Sequence, residues 1–131
     1  MAYKKHTVLA ALVVGIGLIS GCYKYTIVAP ETGAEVTRTV SFKEDILPIF
    51  NNSCNMSGCH NNGGKAPDLS AANAFNTLTN GTTYVNTNSP ETSGLYLWMM
   101  GKKGTPMPLS GPNKDYNALV LAWIKQGAKN N

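Results

Sequence analysis

Cys54-Asn55-Met56-Ser57-Gly58-Cys59-His60 holds two of the three cysteines and one of the two histidines in a chain of 131 residues. Two thiols and an imidazole this close together form a concentrated set of soft and borderline donors. The thiols can close a small disulfide loop, which an oxidising compartment permits. They can also contribute to a zinc site, but a structural zinc needs four ligands. The other histidine, His6, falls in a leader expected to be removed, and no second cysteine pair exists, so zinc is the weaker reading.

A third chemistry fits better. A cysteine pair that ends in Cys-His is the pattern of c-type haem attachment. Each thiol adds to a haem vinyl group, and the adjacent histidine becomes an axial iron ligand. Four residues separate Cys54 from Cys59 where the common spacing has two, so the extra residues must bulge, with Gly58 well placed to allow it. Further along, Gly104-Thr105-Pro106-Met107-Pro108 offers a thioether between two prolines in a polar loop. Thioether sulfur is a soft neutral ligand that suits haem iron, and flanking prolines hold it with little entropy to lose. Packing in the core is the ordinary role of methionine; it suits Met99 and Met100 better than Met107.

The chain around these residues reads as all-α, with about four helices and no alternating strand or repeat. Ser41-Phe42-Lys43-Glu44 fits a capping box, followed by Ile46, Leu47, Ile49 and Phe50, with Pro48 expected to bend the helix. Asn61 to Lys65 reads as a loop. Ser70 is placed to cap a short helix carrying Ala71, Ala74, Phe75 and Leu78, which Asn80-Gly81 ends. Ser89-Pro90-Glu91 signals another helix start, with Leu95, Leu97, Trp98 and Met99 before Gly101; Lys102 to Pro112 is then a loop. Asn113 caps the last helix, whose Tyr116, Leu119, Val120, Trp123 and Ile124 give the clearest amphipathic spacing; Gly127 ends it.

The order of these parts carries a resemblance. Asp45-Ile46-Leu47-Pro48-Ile49-Phe50, the Cys…Cys-His stretch, Ala66-Pro67-Asp68-Leu69, Met107-Pro108 and Trp123-Ile124-Lys125-Gln126-Gly127-Ala128 follow one another as in a class I cytochrome c domain. The likeness is to the short type found in planctomycete-type cytochrome domains and related bacterial lipoproteins, and it covers roughly Ser41 to Ala128. It implies a small helical domain, spanning 41–131, wrapped around one covalent haem c, with first and last helices crossing. It implies Cys54 and Cys59 as attachment residues, His60 as proximal ligand and Met107 as distal ligand. It also implies that the Pro67 carbonyl accepts a hydrogen bond from the other nitrogen of His60. Phe50, Trp98 and Trp123 suit either haem contact or helix packing.

The N-terminus supplies an address. Lys4 and Lys5 precede an apolar run from Val8 to Ile19, and Ile19-Ser20-Gly21-Cys22 ends in small residues before a cysteine. The run is short for a membrane span and has the size of a secretory signal core. Its ending resembles the lipobox of bacterial lipoproteins. That makes residues 1–21 a signal peptide, Cys22 the lipidated first residue, and 22–40 a tether. An ordinary cleaved signal and an uncleaved anchor helix are the competing readings. Tyr23 after the cysteine, by the same resemblance, favours an outer-membrane lipoprotein facing the periplasm.

From Cys22 onward nine Lys/Arg face seven Asp/Glu with no block of like charge, so nothing points to nucleic acid. No nucleophile–base pair is available once His60 is assigned. The expectation is an electron carrier and not an enzyme, with unidentified redox partner proteins in the cell envelope. A haem-based sensor or peroxidase-like protein, and a structural lipoprotein with a Cys54–Cys59 disulfide, are the alternatives.

Overall fold

A computed structural model describes residues 33–131; the signal segment and Cys22 lie outside the described residues. Four α-helices follow one another: α1 (Leu47–Ser53), α2 (Ala74–Thr79), α3 (Gly94–Met99) and α4 (Lys114–Lys125). A π-helical turn, Phe42–Ile46, leads into α1, and a 3-10 turn, Pro90–Thr92, precedes α3. There is no strand among the described residues, so the fold class is all-α. Also among them, no helix is long and apolar enough to cross a membrane.

The first helical segment shows how the sequence handles Pro48. Proline has no N–H to give a helical ladder. The chain meets this by changing register: the π turn ends at Ile46 and Pro48 falls in the first turn of α1, where the missing donor costs nothing. The leading N–H groups are then satisfied one by one, as helix starts require. Ser41 Oγ accepts from Glu44 N–H at 3.1 Å. Phe42 N–H donates to Asn131 Oδ1 at 2.9 Å and Lys43 N–H to the Asn131 carbonyl at 3.0 Å. The predicted capping box forms with one change of partner. Asp45, not Glu44, reaches back to the Ser41 N–H, at 2.8 Å. Arg38 explains the exchange, because it holds the Asp45 carboxylate with two hydrogen bonds of 2.6 and 2.8 Å.

Two other caps differ from the sequence expectation. Ser70 starts a turn, and α2 begins only at Ala74 without a side-chain cap. Asp68 organises that turn, accepting from Ser70 N–H at 2.9 Å and Asn73 Nδ2 at 2.8 Å. Ser89 heads the 3-10 turn only, and α3 follows Ser93. Ser93 is fully buried, and its Oγ accepts from Asn86 N–H at 2.9 Å. Asn113 caps α4 as predicted, accepting from the N–H groups of Asp115 and Tyr116. The helix closes at Gly127, with the Ala128 N–H bonded to the Trp123 carbonyl at 2.9 Å.

The core lies where the π turn packs against both α1 and α4. Trp123, Phe50, Ile46 and Leu78 are its largest fully buried side chains. Phe42 sits at the centre of the aromatic group, with ring centroids 5.3 Å from both Phe75 and Trp123 and 6.4 Å from Phe50. The Trp123 indole N–H donates to the Lys129 carbonyl at 2.9 Å, so this large ring is buried without an orphan donor. Residues 33–40, expected as the end of the tether, lie along this body. Val40 is buried, its N–H donates to Gln126 Oε1 at 2.8 Å, and Gly33 N–H reaches the Lys114 carbonyl at 3.1 Å.

Hydrogen bonding from Arg38 holds the Asp45 carboxyl below its ordinary range. A lowered folded-state pKa means stability that is present above the unfolded value and lost as pH falls through the folded one. Asp45→Asn keeps an acceptor for Ser41 but removes the charge. Thermal melts across the acid range should show a shallower loss of stability for this variant below about pH 4 than for the parent. Parallel curves would assign the acid sensitivity elsewhere.

Candidate functional site

Cys54 stands directly at the end of α1, its N–H still bonded to the Phe50 carbonyl at 2.9 Å. The wide cysteine spacing is taken up by a closed turn. Cys59 N–H donates to the Met56 carbonyl at 2.9 Å and His60 N–H to the Cys54 carbonyl at 3.1 Å. Gly58, at φ +78°, supplies the left-handed residue that this turn needs. The expected bulge is thus a hydrogen-bonded loop that returns His60 to the level of Cys54.

The chain after His60 folds back onto it. Leu69 N–H donates to the His60 carbonyl at 2.7 Å, and Lys65 N–H to the Cys59 carbonyl at 2.7 Å. His60 Nδ1 then lies 3.1 Å from the Lys65 carbonyl and 3.1 Å from the Pro67 carbonyl. Carbonyl oxygens only accept, so Nδ1 must carry the proton. In the neutral ring, Nε2 is left with its lone pair, the state in which imidazole ligates a metal.

Cys54, Cys59, His60, Pro67 and Met107 all line one cavity of about 680 Å³. This is the size of a small-molecule or cofactor pocket, about 300–1,000 Å³. Its walls come from several parts of the fold: Phe50 from α1, Leu69 and Tyr84 from the connecting loops, Leu95 and Trp98 from α3. Met107 is held by its N–H, which donates to the Trp98 carbonyl at 3.1 Å. Among the described residues lining the cavity, Lys65 is the only Lys, Arg, Asp or Glu, and the lining is mostly apolar.

The structure separates aromatic roles that the sequence leaves open. Trp123 is fully buried in the packing core and does not line the cavity. Trp98 is half-buried and forms cavity wall, while Phe50 belongs to both. Met99 and Met100 also part ways. Met100 Sδ accepts a hydrogen bond from Asn117 Nδ2 at 3.1 Å, whereas Met99 is buried and lines the cavity. Sequence reading passes over Tyr84 and Met99 as site residues. Only the apolar spacing around α3 hints at Met99, and nothing local marks Tyr84.

No family model, curated protein or solved structure matches the chain. The chemistry of the site rests on its own donors. No group of three or more His, Cys, Asp or Glu side chains that could hold a metal ion occurs among the described residues. One imidazole, two thiols and the thioethers of Met56, Met99 and Met107 remain, all on one cavity.

Both thiols lie on the cavity. They are free, and burial, with a smaller contribution from nearby Cys59, pushes the Cys54 thiol up to about 11. The raised value means that folding favours the protonated thiol. Its stabilising effect is complete below the unfolded pKa and is lost as pH rises from there through the folded one. Since the thiolate is the nucleophile, iodoacetamide should modify Cys54 of the folded, cofactor-free chain slowly at neutral pH. The rate should rise as pH approaches 11. Peptide mapping that finds Cys54 modified at neutral pH as fast as in denaturant would refute its protected state.

Proposed function

We propose that this chain is a membrane-anchored monohaem c-type cytochrome that passes single electrons in the cell envelope. The observation that carries the reading is the convergence of Cys54, Cys59, His60 and Met107 on one apolar cavity, with His60 Nδ1 committed to the Pro67 and Lys65 carbonyls. Covalent attachment through Cys54 and Cys59 would use thiols placed on either side of the closed turn. His60 would offer Nε2 to the iron, and the Pro67 carbonyl would hold the ring's orientation and raise its basicity. Met107 would offer its sulfur to the iron as the other protein ligand. Phe50, Leu69, Leu95 and Trp98 would exclude water from the macrocycle.

The haem, when bound, supplies a ferric–ferrous couple, and a His/Met ligand pair places that couple at higher potential than more strongly donating ligands do. With His60 and Met107 both held by the iron, no ligand position would be left for a substrate, which is why the proposal is a carrier and not an enzyme. The contact of the leading π turn with α4 agrees with the cytochrome c-like fold that the resemblance implies, where first and last helices cross. Lipidation of Cys22 would tie the domain to a bilayer, on the outer membrane facing the periplasm, and redox partner proteins of the envelope would exchange electrons with it.

Two proteins matured with haem test the ligand set: the parent and Met107→Ala. The variant should keep its haem, bind carbon monoxide when reduced, and show a lower reduction potential. The reduced parent should not bind carbon monoxide. Equal binding by both would remove Met107 from the iron and favour a sensor or peroxidase-like protein.

A further inference from the structure

The loop that carries Met107 is tied back to the end of α3, where Lys102 N–H donates to the Leu97 carbonyl at 2.9 Å. The Trp98 carbonyl accepts from Gly101 N–H at 3.0 Å and from Met107 N–H at 3.1 Å. The Trp98 indole lines the cavity on one side. The loop leans on the same ring at Gly104, where a Cβ would lie 3.1 Å from Cζ3 and 3.2 Å from Cη2. Contacts that tight require the neighbour to give by a few tenths of an ångström, and here the neighbour is a cavity wall. Gly104 also has φ +115°, a conformation that L side chains rarely adopt. Between Gly104 and Met107 lie only Thr105 and Pro106, so little chain is free to absorb a shift before it reaches the sulfur.

Resting on the cytochrome reading above, we propose that Trp98 and Gly104 are positioning residues for Met107. Their close approach sets where the thioether stands in the cavity, and so how readily the sixth iron position opens to an external ligand. Trp98 acts twice, through its carbonyl on the Met107 backbone and through its ring on Gly104. Gly104 acts by having no side chain, which lets the loop close onto the ring.

The same loop contains its own control. Gly111 has φ +104° but nothing within 4 Å of an added Cβ. A Gly→Ala change there introduces a similar backbone strain without the clash on Trp98. The test uses the haem-loaded full chain and measures imidazole affinity of the ferric form for the parent, Gly104→Ala, Gly111→Ala and Trp98→Phe. Destabilising the closed loop should raise imidazole affinity about tenfold or more in Gly104→Ala, since ligand binding draws on the open population. Trp98→Phe, which withdraws the ring atoms that a Cβ at position 104 would meet, should move the same way. Gly111→Ala should stay within about twofold of the parent. If Gly104→Ala does not fold, the comparison of Trp98→Phe with Gly111→Ala decides. Equal effects of all three changes, or none from Gly104→Ala and Trp98→Phe, would overturn the proposal. A parent chain that carries no haem would overturn the cytochrome reading together with this one. A haem-bearing parent whose site opens in Met107→Ala but not in Gly104→Ala or Trp98→Phe would overturn this one alone.

Discussion

His60 Nδ1, bracketed by the carbonyls of Lys65 and Pro67 at 3.1 Å each, is the interaction on which the arrangement of the site depends. It determines the proton on the ring, the nitrogen left free, and the direction in which that nitrogen is presented. Backbone carbonyls can hold the ring this way only because the segment after His60 curls back, tied at the Leu69 and Lys65 N–H groups. The closed turn across Cys54 to His60 does the same for the two thiols. The donors are therefore fixed by main-chain bonds within one short stretch, and the rest of the chain has to supply the opposite wall.

Division of labour follows from size. A domain this small buries a limited apolar area, and a cavity of about 680 Å³ removes packing contacts that a solid core would have. The aromatic group of Phe42, Phe50, Phe75 and Trp123 concentrates the packing on the side away from the cavity. Phe50 joins the two regions. An apolar group that fills the cavity would restore contacts and stabilise the folded state by linkage, which couples the stability of this body to its occupancy. The Arg38–Asp45 pair is exposed on the Arg38 side and orders the entry to α1 more than it stabilises the whole.

The four helices were legible because their signals are local. Asn113 capping, the apolar spacing of α4 and the loop between Lys102 and Pro112 need no tertiary information. Cys54, Cys59, His60 and Met107 stood out as candidates by their donor chemistry, while Pro67 entered only through the resemblance; the structure places all five on one cavity. What escaped was set by distant partners. Asp45 displaces Glu44 in the capping box because Arg38 is near it. Ser70 yields its cap because Asp68 organises the turn. Residues 33–40 look like tether in sequence, yet Val40 is drawn onto the body by Gln126, far along the chain. Tyr84 reaches the cavity through the packing of a loop that no periodicity encodes, and the apolar spacing of α3 marks Met99 as buried without marking it as cavity wall.

Covalent attachment of haem to Cys54 and Cys59 is the claim from which the functional account proceeds. Its most direct test is the intact mass of denatured protein, exported from a host competent for haem maturation, read with a reduced pyridine-haemochrome spectrum. The account predicts a haem-sized increment that survives denaturation, with a c-type spectrum showing both thioethers. A colourless protein whose mass is short by two protons would mean a Cys54–Cys59 disulfide and would contradict the electron-carrier reading.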